Sequence, residues 1–433
     1  MKFSCEKALL QSAIATSSRA TAPKSSIPAL EGILLEADNE LRLTGYNLET
    51  GIRTVVPADV QESGSLVLSA RMFGDIVRNL PDDMVSFSSE GLNVHIQCGM
   101  SNFHIQAIDP EEFPELPSVE AQNALLLSRS TLTDMITRTL FAVCQNDGRP
   151  ILTGSLFEVE GDVLTVVSVD GQRLALRRAK LEEAPGRDFS FVVPGAALGE
   201  VKSISGEGDE AVAITTGARH IQFKVGNTLL VTRRLEGEFL NYRQSISWKS
   251  SIKLEVEVKA LMTSITRVSL ILQDNTKNPL RCIVGDDMIY LSTLTPTGNA
   301  TDQCPAVGSG GDLHIGFNHR FMMDALKAVP AEKATLLMGT PSTPCIIVPT
   351  NEESGQESFL FMVLPVRMSA NWDKRYERGN HPHHNRIYQA PGLTEILRRG
   401  GDWRGGEGGH SGRRGPCQRR GLHHAGQKAS PRR

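Results

Sequence analysis

The sequence is short of the features that mark several large classes of protein. Its 433 residues contain no apolar run near the ~18 residues that would suggest a membrane-spanning helix. The opening Met1-Lys2-Phe3-Ser4-Cys5-Glu6 lacks the apolar stretch and small-residue cleavage site of a secretory leader, so no export is expected. Seven cysteines (5, 98, 144, 282, 304, 345 and 417) are scattered, with no Cys-x-x-Cys pair and an odd total. That fits reduced thiols in a cytoplasmic setting better than a disulfide or zinc framework. Enzyme signatures are missing too: there is no Gly-rich phosphate loop, no His-Glu-x-x-His and no Gly-x-Ser-x-Gly. His381, His383 and His384 lie close together, but in a Gly/Arg-rich tail they make at most an adventitious metal site. No catalytic residue, no resident metal and no cofactor is expected.

What is present is ordinary in bulk and uneven in distribution. A hydrophobic content of 40% and a charged content of 22% belong to a soluble globular protein. The length predicts about three domains. The net charge of −3 conceals a division: residues 369–433 carry 14 Lys+Arg and 5 Asp+Glu, which leaves 32 basic and 44 acidic residues in 1–368. The tail is therefore basic, at +9, and the body acidic, at −12. An acidic body can hold nucleic acid only if its positive charge gathers on one face.

The body is triplicated. Leu164–Leu176 reads as two β-rich arms around an Asp170-Gly171 turn, a strong hairpin signal. Leu41–Asn47, with its paired arm Gly51–Val56, precedes it, and Met288–Leu294 follows. Thr44, Ser168 and Ser292 occupy matching points, 124 residues apart in both steps. Each unit is predicted to open with an amphipathic helix, over 5–16, 128–143 and 257–270, and to hold a second over 70–80, 195–204 and 319–329. Ser69 and Asn318 are expected N-caps. Short alternating strands fill the remainder, as in Val94–Gln97, Ile221–Val225 and Cys345–Val348. Boundaries are expected near Pro110–Pro117 and Ser247–Ser251, giving units 1–119, 120–248 and 249–368. Repeats that offer the same edges to their neighbours tend to close into rings or arrays, and an uncovered strand edge is most simply covered by another chain.

After Met368 the pattern stops. Residues 369–433 are rich in Gly, Arg and His and poor in aliphatics, so they are expected to be disordered. They read either as a basic nucleic-acid-binding tail or as an out-of-frame or readthrough extension; the abrupt change in composition favours the second.

The markers within 1–368 resemble those of the bacterial DNA polymerase III β subunits, the sliding clamps. They are Met1-Lys2-Phe3, Ile27-Pro28-Ala29-Leu30, Leu43–Glu49, Phe113-Pro114, Asp170–Ala175, Gly237–Tyr242 and Leu364–Met368. The resemblance implies an α+β fold of three tandem sliding-clamp (processivity-factor) domains, each with two helices on one face of antiparallel sheets. It further implies a crescent that dimerises head to tail into a ring around duplex DNA, bound without regard to sequence. The implied role is a non-catalytic one, tethering DNA polymerase III α subunit, other polymerases, a clamp loader, and mismatch-repair and ligase-type factors. A competing reading is a clamp-like peptide-binding scaffold that does not encircle DNA.

Three sets of residues then acquire expected roles. For DNA these are Lys24, Arg71, Arg78, Arg138, Arg149, Lys202, Arg267 and Lys327, with Lys7, Arg19, Arg129, Lys259 and Arg320 as further helix cations. Lys24 and Arg149 rank first because they match loop positions that meet DNA in the family. A partner-peptide pocket is implied at Leu152, Val169, Gly171, Gln172, Arg173, Leu174, Leu240, Pro344, Met362, Leu364, Pro365, Val366 and Met368. Aliphatic and Met side chains there make an adaptable groove, with Arg173 as polar anchor. Leu240, Gln244 and Ser245 depart from the Pro, basic and aliphatic residues of some relatives. The implied dimer contact pairs Ile271 and Leu272 with Phe103 and Ile105 of a second chain.

Overall fold

The computed structural model describes residues 1–145, 148–206, 208–246, 250–272, 278–309, 311–352 and 358–368. The expected disorder of 369–433, Cys417 and part of the 247–251 boundary lie outside the described residues. Seven helices occur among those described: α1 (Lys7–Ser17), α2 (Ala70–Asn79), α3 (Arg129–Thr139), α4 (Gly195–Ser205), the short α5 (Tyr242–Ile246), α6 (Val258–Ser269) and α7 (His319–Ala328). Their starts have local causes. The Ser69 hydroxyl accepts from the Met72 amide at 3.4 Å, and Asn318 Oδ1 accepts from the Arg320 amide at 3.0 Å. Ser128 caps α3 in the same way, from the Thr131 amide at 3.2 Å.

One expectation is corrected. Each unit opens with a strand and not with a helix: Lys2–Glu6, Asn123–Ser128 and Ile252–Glu257. The alternation is plain in all three. Phe3 and Cys5, Leu125 and Leu127, and Leu254 and Val256 are buried, while the residues between them are not. These strands run straight into the helix cap, so a two-residue period passes into a helical one with no turn between them.

Three sheets follow, of five, eight and twelve strands. The last two run across unit boundaries. Thr228–Arg233 of the second unit pairs with Thr50–Val56 of the first, Leu230 opposite Ile52. Phe359–Val363 of the third pairs with Arg173–Lys180 of the second, Phe361 opposite Ala175. Both junctions thus join the last strand of one unit to the fourth strand of another. Each unit has its own core: Phe3, Phe73 and Phe87 in the first, Phe157, Phe191 and Phe223 in the second, Phe317, Leu326 and Leu336 in the third. A fourth cluster lies across the second junction.

The six described cysteines are free thiols. Burial pushes the Cys345 thiol up to about 12 and raises Cys282 and Cys304 as well, which makes them poor nucleophiles and poor metal ligands.

Candidate nucleic-acid face and partner pocket

The six longer helices carry ten Lys+Arg and four Asp+Glu, a net of +6 in a body of −12. They pack in pairs, α1 with α2, α3 with α4 and α6 with α7. α3 touches α7, and Arg19, just beyond α1, meets Glu200 of α4 at 2.5 Å. The helix pairs of successive units are therefore neighbours, and they carry a net positive charge in an otherwise acidic body.

Individual cations differ in availability. Arg71, Lys202, Lys259 and Lys327 are exposed and form no ion pair among the described residues. Lys24 and Arg149 are exposed on matching loops, ahead of the short 3-10 turns Pro28–Glu31 and Pro150–Thr153. Arg78 is exposed but holds Asp75 at 2.9 Å. Arg267 is bound to Asp302 and to the Ser264 hydroxyl at 3.1 Å. Arg138 is committed elsewhere: it pairs with Asp134 and donates to the Ala328 carbonyl at the end of α7, 2.7 Å away. Asp134 also receives Arg177 Nε at 2.9 Å, and Arg177 Nη1 donates to the Ser358 carbonyl at 2.9 Å. The structure makes Arg138 part of a strut between the second and third units.

The pocket residues divide by strand parity. Leu174 and Leu176 point to one face of the junction sheet, where they join Leu152, Val169, Tyr242, Ile346, Val348, Leu360 and Met362 in one apolar cluster. Leu240 and Leu364 border it, half-buried. Pro344 is buried just before the strand Cys345–Val348. Asp170 builds the turn at the rim: its Oδ1 accepts from the amides of Gln172 at 2.9 Å and Arg173 at 3.0 Å, and Gly171 takes φ +87. The Gln172 carbonyl then accepts from the Leu364 amide at 2.8 Å. Beyond it the chain leaves the cluster. The Val366 amide donates to the Gly316 carbonyl at 2.8 Å, and Met368 packs over Gly316, where a Cβ would lie 2.9 Å from its Cγ. Pro365 is half-buried and Val366 exposed along this path.

Arg173 lies on the other face, with Ala175 and Arg177. Its guanidinium donates to Asp170 at 2.9 Å and to Asp324 of α7 at 2.6 Å, and sits 4.3 Å from the Phe321 ring centroid. The polar anchor expected in the pocket is instead a clamp between the second and third units, on the helix side. A polar group that the expectations missed stands on the pocket side. The Tyr242 hydroxyl donates to Glu158 Oε2 at 2.5 Å, and Arg243 reaches both Glu158 and Glu160 at 2.7 Å. Burial foremost, then Glu158, raises the Tyr242 phenol well above its ordinary range. The alternating apolar run Cys345–Val348 and the strand Phe359–Val363 were the available signals for the rest of the cluster.

All three sheets are open, and two of the strand edges free of pairing among the described residues are the ones left over from the junctions. One is Ser101–Gln106, bonded only to Asn93–Cys98; the other is the outer edge of 298–305. Phe103 and Ile105 are half-buried on the first, beside the fully exposed Met100. Ile271 and Leu272 are half-buried just past α6, and Leu270 before them is 79% exposed. Among the described residues no helix is long and apolar enough to cross a membrane.

Comparison with known proteins agrees along the whole body. The N-terminal, central and C-terminal domains of the DNA polymerase III beta subunit match residues 1–117, 126–241 and 244–363. The beta sliding clamp of Staphylococcus aureus is 31% identical over 379 residues, covering 85% of this chain and 99% of the relative. The DNA polymerase sliding clamp of Bacillus subtilis superposes with a TM-score of 0.82 at 29% identity, covering 85% of this chain and all of that one. A chain assigned to the DNA polymerase III beta subunits from Eubacterium rectale does so at 0.81 and 32%, with the same coverage. Three matched domains in order, on an acidic body whose helices carry a net positive charge, place this chain in the DNA polymerase III beta subunit family, the DNA sliding clamps.

Proposed function

We propose that two copies of this chain, each contributing units 1–119, 120–248 and 249–368, close head to tail into a ring that encircles duplex DNA. The ring is a non-catalytic processivity factor acting in the cytoplasm. One observation carries the reading. At both junctions the last strand of one unit pairs with the fourth strand of another, and the two strands left over in that scheme are Ser101–Gln106 and Gly298–Ser309. A second copy supplies the missing partner for each, and closure needs no further element. The apolar residues Phe103 and Ile105 at one end, and Ile271 and Leu272 at the other, then meet across the boundary.

Enclosure replaces affinity. DNA contacts from Lys24, Arg71, Arg78, Arg149, Lys202 and Lys327 are electrostatic, salt-sensitive and blind to base sequence, which permits sliding. Arg138 and Arg267 contribute to the field from within their ion pairs. On the far side, the cluster of Leu152, Val169, Leu174, Leu240, Met362 and Leu364 receives short apolar peptides of polymerases, the clamp loader and repair factors of the mismatch and ligase types. Gly171 and Gln172 form its rim at the Asp170 turn, Pro344 supports it from within, and Pro365, Val366 and Met368 lead the chain from Leu364 to Gly316 at its border.

The test is retention on DNA. The protein is loaded on a nicked circular plasmid by a clamp loader, and the plasmid is then linearised. Loss from the linear form and retention on the circle is expected; equal retention on both overturns the ring. Ile271→Ala with Leu272→Ala should yield monomers by light scattering.

A further inference from the structure

The outward face of the first unit's five-stranded sheet holds a pair of imidazoles that neither the DNA face nor the pocket employs. His95 and His104 are directly opposed on the antiparallel strands Asn93–Cys98 and Ser101–Gln106. Their rings stack with centroids 4.5 Å apart and planes 13° apart. His95 Nε2 lies 3.2 Å from Asn102 Oδ1. With that oxygen as acceptor, Nε2 carries the proton and Nδ1 keeps its lone pair.

The surroundings are polar and uncharged. Ser88 opposes His95 on the next strand, Asn93 and Gln97 flank it on its own, and Asn102 and Gln106 flank His104. The nearest charges in the ladder are one strand further or diagonal: Lys2 opposite Ser88, and Glu90 opposite Asn93. No lysine or arginine stands directly opposite either imidazole to repel a cation, and no carboxylate holds one as an ion pair.

Directly opposed strand residues have Cβ atoms about 4.5–5.5 Å apart. From there, rotation about the soft His χ2 can turn one nitrogen of each ring onto a shared ion at about 2.0–2.1 Å. We propose that His95 and His104 bind one divalent first-row transition cation of the zinc and copper type, as a two-imidazole site completed by water, with Asn102 Oδ1 holding His95 Nε2–H so that Nδ1 is left to the ion. Imidazole suits these metals, and an open, partly aquated shell makes the ion exchangeable and not structural. The bound ion cross-links Ser101–Gln106 to its neighbour. Where that strand is the closing edge of the ring, as proposed above, the ion stiffens the edge; binding itself does not depend on closure.

Zn²⁺ titration of the full chain by calorimetry, wild type against His95→Asn with His104→Asn, reads the site directly. The tail's six histidines are common to both proteins, so the difference is the signal. One equivalent of Zn²⁺ should disappear in the double variant. Each single variant should weaken that equivalent by at least the roughly tenfold that losing even an outer-shell partner costs a metal site. Identical stoichiometry and affinity in all four proteins overturns the proposal and leaves the tail as the binder. A second reading needs no substitution: peptide mapping after carbethoxylation should show Zn²⁺ shielding His95 and His104 together, at one concentration. Unshielded or independently shielded rings overturn it equally. Failure of the plasmid test above with Zn²⁺ still bound at this pair would remove the ring and keep the site.

Discussion

The two junctions between units share one backbone plan and differ in what their side chains do. At the first, the Thr50 and Thr232 hydroxyls meet at 3.2 Å and those of Thr54 and Thr228 at 3.0 Å, with Ile52 and Leu230 beneath and the Arg19–Glu200 pair alongside. At the second, one face is a broad apolar cluster and the other a guanidinium lattice of Arg173, Arg177 and Arg138 with Asp170, Asp324 and Asp134. A threonine ladder joins two units and offers nothing further. The second junction joins two units and gathers an apolar cluster bordered by the half-buried Leu240 and Leu364. Strand pairing sets where units meet, and side chains decide what each meeting place offers.

The difference can be broken most forcefully at Leu174, which is fully buried beneath the cluster. Leu174→Ala should cost about 2–5 kcal/mol in equilibrium denaturation, the range for truncating a core leucine. Removal of Leu364–Met368 comes next. It deletes the Leu364-to-Gln172 and Val366-to-Gly316 hydrogen bonds and should abolish capture of polymerase-derived peptides while the dimer persists. Retained peptide affinity in fluorescence anisotropy would remove the pocket from this junction. Asp134→Ala follows, since it strips two guanidiniums of their shared carboxylate; about 1–3 kcal/mol is expected. Thr50→Val with Thr232→Val at the first junction should cost only about 1 kcal/mol, and leave peptide binding untouched.

Much of this was legible before any coordinates. The 124-residue repeat and the Asp170 turn are properties of residue order, and capping by Ser69 and Asn318 is local chemistry. Asp75 with Arg78, and Asp134 with Arg138, stand at helical ion-pair spacing, so their pairing was also readable. Arg267 with Asp302 was not, being 35 residues apart and joined only by the fold. The opening strands were obscured because Lys2–Glu6 spans only five residues and runs into α1 with no turn between, so Cys5 reads as the first residue of the helical pattern. The face of Arg173 was recoverable: if Leu174 and Leu176 look into the pocket, a strand sends Arg173 and Arg177 the other way. Family likeness assigned Arg173 to the pocket; parity sets it on the face opposite Leu174, with its guanidinium on Asp170 of the rim turn.

The finest distinction between the junctions lies in Tyr242: Tyr46 beside the first junction donates to the Leu48 carbonyl, whereas the Tyr242 hydroxyl donates to a carboxylate. Its buried phenol stays protonated in the folded chain, raised by burial first and then by the hydrogen bond to Glu158. In the unfolded chain it ionises at the ordinary value of about 10. The folded state therefore holds the proton where the unfolded state has released it. The stability this group contributes is complete below about pH 10 and drains away as pH climbs further. Tyr242→Phe loses the hydroxyl's hydrogen bond at every pH, yet should flatten that part of the alkaline slope. Urea midpoints taken near pH 8 and again about one unit above the ordinary phenol value check it. The wild type should lose more between the two than the variant does. Parallel losses would mean that the proton is not held by the pocket wall, and that the second junction differs from the first in packing and ion pairs alone.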